Sequence, residues 1–121
     1  MKVGIDILEV SRMTKFVDND SFLEKNFTKY EIEYMKSKNV KSAQTLTGLF
    51  CSKEAFLKAL GLGIKNGIEL KEIEINHDEK GKPFFVITEK LKGVLDNNNL
   101  TKIDLSISHT ESTAIAMCVM I

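Results

Sequence analysis

The sequence runs to 121 residues, 43% hydrophobic and 28% charged, with 17 Lys and Arg balanced by 17 Asp and Glu. That length suits one domain, residues 1–121, able to bury a single core without disulfide or metal staples, and leaves no room for a second. Zero net charge excludes a general reader of a nucleic-acid backbone, which needs surplus Lys and Arg on one face, and no run approaches the ~18 apolar residues of a membrane span.

The opening MKVGIDILEV lacks a charged region, an extended apolar region and a small-residue cleavage site, so the protein is expected in the cytosol. Residues Lys2 to Leu8 read as a buried strand with Val3, Ile5 and Ile7 on one face, and Asp6 sits inside it. From Glu9 to about Asn26 the pattern is helical through Val10, Met13 and Val17, with a break near Asp18-Asn19-Asp20. Thr28 starts another helix, because Glu31 three residues on forms a capping box with it and Ile32 and Met35 supply the apolar stripe. The longest periodic segment runs from about Lys41 to Leu60 and stops at Gly61, a residue suited to a left-handed cap.

Lys71 to Asn76 alternates with Ile73 and Ile75 inward, and Phe84 to Ile87 returns as the second strand of a hairpin across the polar turn His77 to Pro83. A short helix over Glu89 to Leu95 ends in the turn Asp96 to Asn99. Lys102 to His109 alternates with Ile103, Leu105 and Ile107 on one face, and Ala114 to Ile121 is apolar on both. Helices early and strands late favour an α+β fold with a mainly antiparallel sheet.

Several residues break this pattern. On a helical wheel at about 100° per residue, Leu46, Leu49, Phe50, Leu57 and Leu60 form an apolar arc with Lys53 at its centre. Lys53 either snorkels past the sheet edge or supplies positive charge to something buried beside the helix. Glu54 flanks that arc and Lys58 lies one turn further on, an arrangement that serves equally as an exposed i,i+4 pair.

Asp6, a carboxylate in a buried-looking strand, needs a lysine, backbone donors or a hard cation. Paired with Glu54 it would form a usual Mg²⁺ arrangement. His109 takes the inward parity of its strand, either as a satisfied histidine or as a phosphate donor or proton carrier; His77, in the polar turn, reads as solvated. Cys51 and Cys118, far apart and outside any CxxC or zinc spacing, read as reduced packed thiols. No GxxxxGK[ST], GxGxxG, GxSxG or HExxH is present, and Ser106, Ser108 and His109 have no identifiable third acid for a triad.

These residues fall into a known pattern. Val3-Gly4-Ile5-Asp6-Ile7-Leu8-Glu9-Val10-Ser11-Arg12-Met13 resembles the G-I-D-[IV]-x-E-[IV]-x-R-[IM] opening of the holo-acyl-carrier-protein synthases, the small 4'-phosphopantetheinyl transferases. Phe27-Thr28 with Glu31-Ile32 resembles the family's F-T-x-x-E-I helix start, and Lys53-Glu54-Ala55 through Lys58-Ala59-Leu60-Gly61-Leu62-Gly63-Ile64 its K-E-A-x-x-K-A-x-G-x-G-I segment. Gly81-Lys82-Pro83 and Ser106-Ile107-Ser108-His109-Thr110 complete the series in collinear order.

The resemblance implies the 4'-phosphopantetheinyl transferase fold and Mg²⁺-dependent transfer of the phosphopantetheine arm of coenzyme A to a serine of apo-acyl carrier protein, in fatty acid biosynthesis. It implies Asp6 and Glu54 as metal carboxylates, with Asp6, Glu54 and Lys58 catalytic; whether Glu54 or a metal-polarised water takes the serine proton stays open. Lys53, Lys58, Gly63 and His109 would bind coenzyme A, and Arg12 with Lys15 would meet the acidic carrier protein. It further implies a homotrimer with active sites between subunits. One departure stands out: the family's usual arginine is replaced by Leu49, so either Lys41, Lys65 or a neighbouring subunit supplies that charge or coenzyme A binds more weakly, and the departure motivates the alternative of a non-catalytic coenzyme A or carrier-protein binding module.

Overall fold

The computed structural model describes residues 1–61 and 67–121. Strand β1 (Lys2–Glu9) is followed by two single 3₁₀ turns (Val10–Arg12 and Thr14–Phe16), then helices α1 (Asp20–Asn26), α2 (Lys29–Lys36) and α3 (Ser42–Ala59). A hairpin of β2 (Ile75–His77) and β3 (Pro83–Phe85) leads to helix α4 (Glu89–Asn97) and the strands β4 (Ile103–His109) and β5 (Thr113–Met120). The main sheet is antiparallel in the order β1-β5-β4, and β2-β3 form a second, two-stranded sheet. The α+β architecture with antiparallel pairing is the one expected. None of the described helices is long and apolar enough to cross a membrane.

Side chains start each short helix. Asn19 accepts the Phe22 N–H at 3.1 Å at the head of α1, and Thr88 accepts the Leu91 N–H at 3.2 Å at the head of α4. The predicted box opens α2, with Glu31 N–H donating to Thr28 Oγ1 at 3.3 Å and Thr28 N–H to Glu31 Oε1 at 2.9 Å, which satisfies two otherwise orphaned donors. Helix α3 ends where Gly61 turns left-handed at φ 71° and donates to the Lys58 carbonyl at 3.0 Å, as its position predicts.

Three expectations are corrected. The stretch Glu9 to Asn26 breaks at Asn19 as expected, but the part before the break forms two 3₁₀ turns rather than a helix. Val10 N–H is drawn to the Ser112 carbonyl at 2.8 Å, Thr14 Oγ1 bonds back to the Val10 carbonyl at 3.1 Å, and α1 begins only after the Asn19 cap. Such local side-chain bonds compete with helix propagation. The face of β1 is also the reverse of the one expected: Val3, Ile5 and Ile7 are 52, 52 and 64% exposed, while Gly4, Asp6 and Leu8 turn toward α3. The second sheet is shorter than the sequence suggests, because Leu70–Glu72 winds into a 3₁₀ turn before β2.

Register explains the reversal. Gly4 pairs with Cys118 and Asp6 with Ala116, and α3 crosses this face so closely that a Cβ on Gly4 would overlap the Ala55 carbonyl oxygen and the Ala59 amide nitrogen. Only glycine permits that approach. The core lies between α3 and the sheet, where Leu46, Ala55, Phe56, Leu105, Ala116 and Met120 are all nearly or fully excluded from solvent. Gly4→Ala is expected to lower unfolding stability by about 3 kcal/mol or more, since the obstacle is backbone that cannot rotate away; urea denaturation monitored by circular dichroism checks this.

Candidate active site

Cys51, Glu54 and Lys58 occupy successive turns of α3 at spacings of three and four, and so share one stripe. Opposite them, β1 presents Asp6. Lys58 Nζ reaches Asp6 Oδ1 at 2.9 Å, with the lysine side chain half exposed and the aspartate side chain 16% exposed. Glu54 is half-buried, and burial together with the negative charge of Asp6 pushes its carboxyl above the usual range, with Lys58 partly opposing. Asp6, Glu54 and Lys58 are therefore brought together.

Cys51 lies beneath this group, fully buried, its thiol donating to the Ala114 carbonyl at 3.7 Å. Burial, then the charge and hydrogen bonding of Asp6 and the charge of Glu54, raise its pKa to about 12, so the thiol stays protonated and unreactive at neutral pH. Both cysteines are free and buried, as the sequence implies.

Asp6 and Glu54 supply hard oxygen donors and an excess of negative charge that one lysine only partly offsets, which suits a hard divalent cation such as Mg²⁺ that keeps several of its waters. Among the described residues no group of three or more His, Cys, Asp or Glu converges.

Lys53 does not snorkel: it follows the other reading and supplies positive charge to a group buried beside the helix, which is Glu31 and not the carboxylate pair. Its side chain is fully buried and its ammonium donates to Glu31 Oε1 at 2.8 Å, the Leu70 carbonyl at 2.8 Å and the Ile73 carbonyl at 2.7 Å. An ammonium has three donors, so none remains for a phosphate. The nearby Phe27 ring lies 5.1 Å from the nitrogen.

Glu31 is the residue that sequence reasoning placed only in a helix cap. Besides capping α2 it accepts the Ile75 N–H at 2.9 Å, and burial raises its carboxyl pKa while Lys53 lowers it. The signal was available in Lys53 itself, a charge in an apolar arc that had to find an anion.

His109 ends β4 exposed to solvent, with Nδ1 3.3 Å from the Thr110 carbonyl, so its inward parity does not bury it. It borders a cleft of about 180 Å³ shared with Thr45, Leu49 and His77. His77 is not simply solvated, since it is half-buried and stacked on Tyr34 at 3.8 Å and 8°. Leu49 is 2% exposed, and Lys41 lies in the exposed turn before α3. Arg12 and Lys15 project from the two 3₁₀ turns after β1, both exposed, with Met13 buried between them as an anchor. Gly63 and Lys65 lie outside the described residues.

A carboxylate pair with a lysine lies where a helix packs against an antiparallel sheet, and an imidazole-lined cleft lies on the same helix, in a small α+β protein. The chain belongs to the 4'-phosphopantetheinyl transferase superfamily, whose model matches residues 2–118. It is 46% identical over 120 residues to a holo-[acyl-carrier-protein] synthase of a Thermoanaerobacter species, covering 98% of this chain and 86% of that one. Among solved structures it is similar to the holo-[acyl-carrier-protein] synthase of Neisseria meningitidis, with TM-score 0.86, 30% identity and coverage of 98% and 96% of the two chains. It is likewise similar to the Helicobacter pylori synthase in complex with coenzyme A, with TM-score 0.83, 32% identity and coverage of 98% of each chain.

A raised carboxyl pKa in the folded protein favours the protonated form, so the stability Glu54 contributes below its ordinary value of 4.5 is lost as pH rises through the raised value. Glu54→Gln is expected to raise Tm by a few degrees at neutral pH, with the gain fading toward pH 4. Added Mg²⁺ should raise Tm of the unaltered protein but not of the variant; differential scanning fluorimetry across pH and Mg²⁺ reads both.

Proposed function

We propose that this single-domain protein transfers the 4'-phosphopantetheine arm of coenzyme A to a serine of apo-acyl carrier protein, releasing adenosine 3',5'-bisphosphate, as a cytosolic step of fatty acid biosynthesis. The observation that carries this reading is the convergence of Asp6, Glu54 and Lys58 in a chain similar along nearly its whole length to synthases of this name.

In the reaction the serine oxygen forms a bond to the β-phosphorus while the bond from that phosphorus to the oxygen bridging it to the α-phosphate breaks. Charge grows on the departing oxygen, and preorganised cations are what that charge requires. Lys58 is such a cation, held at Asp6 with a half-exposed side chain that has room to meet a phosphate. Asp6 and Glu54 would hold Mg²⁺, which when bound neutralises the pyrophosphate and polarises the phosphorus–oxygen bonds. Glu54 forms no ion pair with the described residues, which leaves it the carboxylate suited to receive the serine proton.

The carrier protein would dock at Arg12 and Lys15, where a local positive patch meets an acidic surface despite the zero net charge of the chain. The bare outer face of the sheet supports a homotrimer. Val3, Ile5, Ile7 and Met117 lie exposed on it, beside the half-buried Ile115 and Val119, and a contiguous apolar surface of this kind marks an interface. Strand β1 is a sheet edge, so a neighbour seated on that face would have to reach round this edge to bring groups to the Asp6 side of the site.

Mixing the protein with apo-acyl carrier protein, coenzyme A and Mg²⁺ should add the mass of the phosphopantetheine arm to the carrier, read by mass spectrometry, and Asp6→Ala should abolish the transfer without unfolding the chain. No mass gain with several carrier proteins, alongside measurable coenzyme A binding, would instead identify a binding module. Arg12→Glu is expected to raise KM for the carrier protein about tenfold or more while leaving KM for coenzyme A within about twofold, the mark of a charge used only in protein docking; steady-state kinetics against each substrate decides it.

A further inference from the structure

The cleft beside His109 has a second imidazole that the reaction described above does not use. His77 stands at the end of β2, its ring parallel to Tyr34 at 3.8 Å, and the Tyr34 ring is also met by Lys38, whose ammonium sits 4.5 Å from the ring centroid. This group of cation, phenol and imidazole fixes the plane of the His77 ring. Tyr30 fixes its rotation, with the hydroxyl 3.4 Å from Nδ1. The other ring nitrogen, Nε2, has no hydrogen-bond partner among the described residues.

The walls of the cleft carry no carboxylate. Helix α3 contributes Gln44, Thr45 and Leu49, helix α2 contributes Tyr34, and the strands contribute His77 and His109. Around His77 the charged and titratable groups are Tyr30 and Tyr34 on α2, Lys38 in the turn after it, Asp78 in the hairpin and His109 across the cleft. Lys82, also in the hairpin, is committed to Asp104 at 3.0 Å. Two imidazoles lining a small cleft whose walls carry no carboxylate form a site for an anion of the phosphate class, because each ring can donate a hydrogen bond to it. The cleft lies on the N-terminal half of the helix whose C-terminal half carries Glu54 and Lys58.

We propose that His77 is a specificity residue of this cleft, binding with His109 the phosphomonoester of a nucleoside bisphosphate and supplying the positive charge that Leu49 does not. The inference rests on the coenzyme A reading, in which the 3'-phosphate is the group that distinguishes coenzyme A from its 3'-dephospho form. Burial and Lys38 lower the pKa of the free His77, Asp78 opposing, so the ring is mostly neutral at pH 7 and above. A bound phosphate dianion stabilises the imidazolium, and binding takes up a proton. Preference for the 3'-phosphate therefore grows as pH falls from 8 toward 6.

The test compares KM for coenzyme A and 3'-dephospho-coenzyme A at pH 6 and pH 8, in the unaltered protein, in His77→Phe, which keeps the stack, and in His77→Gln, which keeps a donor without a titration. The unaltered protein should prefer coenzyme A more at pH 6 than at pH 8. His77→Phe should lose about tenfold of that preference at pH 6, the size of one charge-assisted hydrogen bond, with kcat at saturating coenzyme A and KM for the dephospho form unchanged. His77→Gln should retain part of the preference but not its pH dependence. An unchanged KM ratio at both pH values in both variants overturns the proposal while leaving the transferase reading intact.

If the unaltered protein transfers nothing, that reading fails and the cleft is read alone by calorimetric titration with adenosine 3',5'-bisphosphate and with adenosine 5'-monophosphate. A preference for the bisphosphate that vanishes in His77→Phe supports the site. Equal binding of the two nucleotides, or a preference unchanged by the substitution, overturns it.

Discussion

The absence of a side chain at Gly4 is the constraint from which the rest of the structure follows. It lets the backbone of α3 settle against β1 at Ala55 and Ala59, and that proximity fixes what the two elements can show one another. With Gly4 facing the helix, strand alternation sends Asp6 to the same side two residues on, and helical periodicity brings Cys51, Glu54 and Lys58 opposite it. A carboxylate pair on separate elements thus has its separation set by a close main-chain contact in the core rather than by loops. The same alternation leaves Val3, Ile5 and Ile7 on the other face, so the site and the bare apolar surface are two results of one register.

The pair Lys53–Glu31 is a second anchor, on the far side of α3 from this contact. It ties the helix to the start of α2, to the 3₁₀ turn at Leu70 and to β2 through hydrogen bonds that use every donor of the ammonium. Burying two charges is costly, and hydrophobic replacements of the whole pair can be as stable. Its value here is geometric, because a lysine with three fixed acceptors admits one placement of α3 relative to the hairpin. Glu54, the next residue along, inherits that placement.

The helices with caps and the strands with strict alternation were legible in the sequence, since Thr28, Gly61 and Ile103 to Ile107 act through neighbours a few residues away. The face of β1 was not. Apolar residues at Val3, Ile5 and Ile7 imitate a core stripe, and only the long-range approach of α3 shows that the small residue, not the large ones, is wanted inside. The segment after Glu9 misled for a related reason, because the pull of Ser112 on Val10 crosses most of the chain. At the site, Asp6, Glu54 and Lys58 were singled out as anomalies and do converge. Lys53 was an anomaly too, but its partner Glu31 was hidden by an adequate local explanation as a cap. His77 was hidden by its turn-like surroundings, since stacking against α2 leaves no trace in the spacing of the hairpin.

That double use of Glu31 bears on how the chain acquires its shape. In the unfolded chain the carboxylate can close the box with Thr28 while still hydrated, so the first turn of α2 is a local event open to an early nucleus. Its contacts to Lys53 and the Ile75 amide span 22 and 44 residues and carry the entropy of closing those loops. The group that starts the helix is thus the group whose dehydration must wait for the core. Helix α2 is bound to unfold with the centre of the protein rather than to fray on its own, which joins its persistence to the global unfolding free energy.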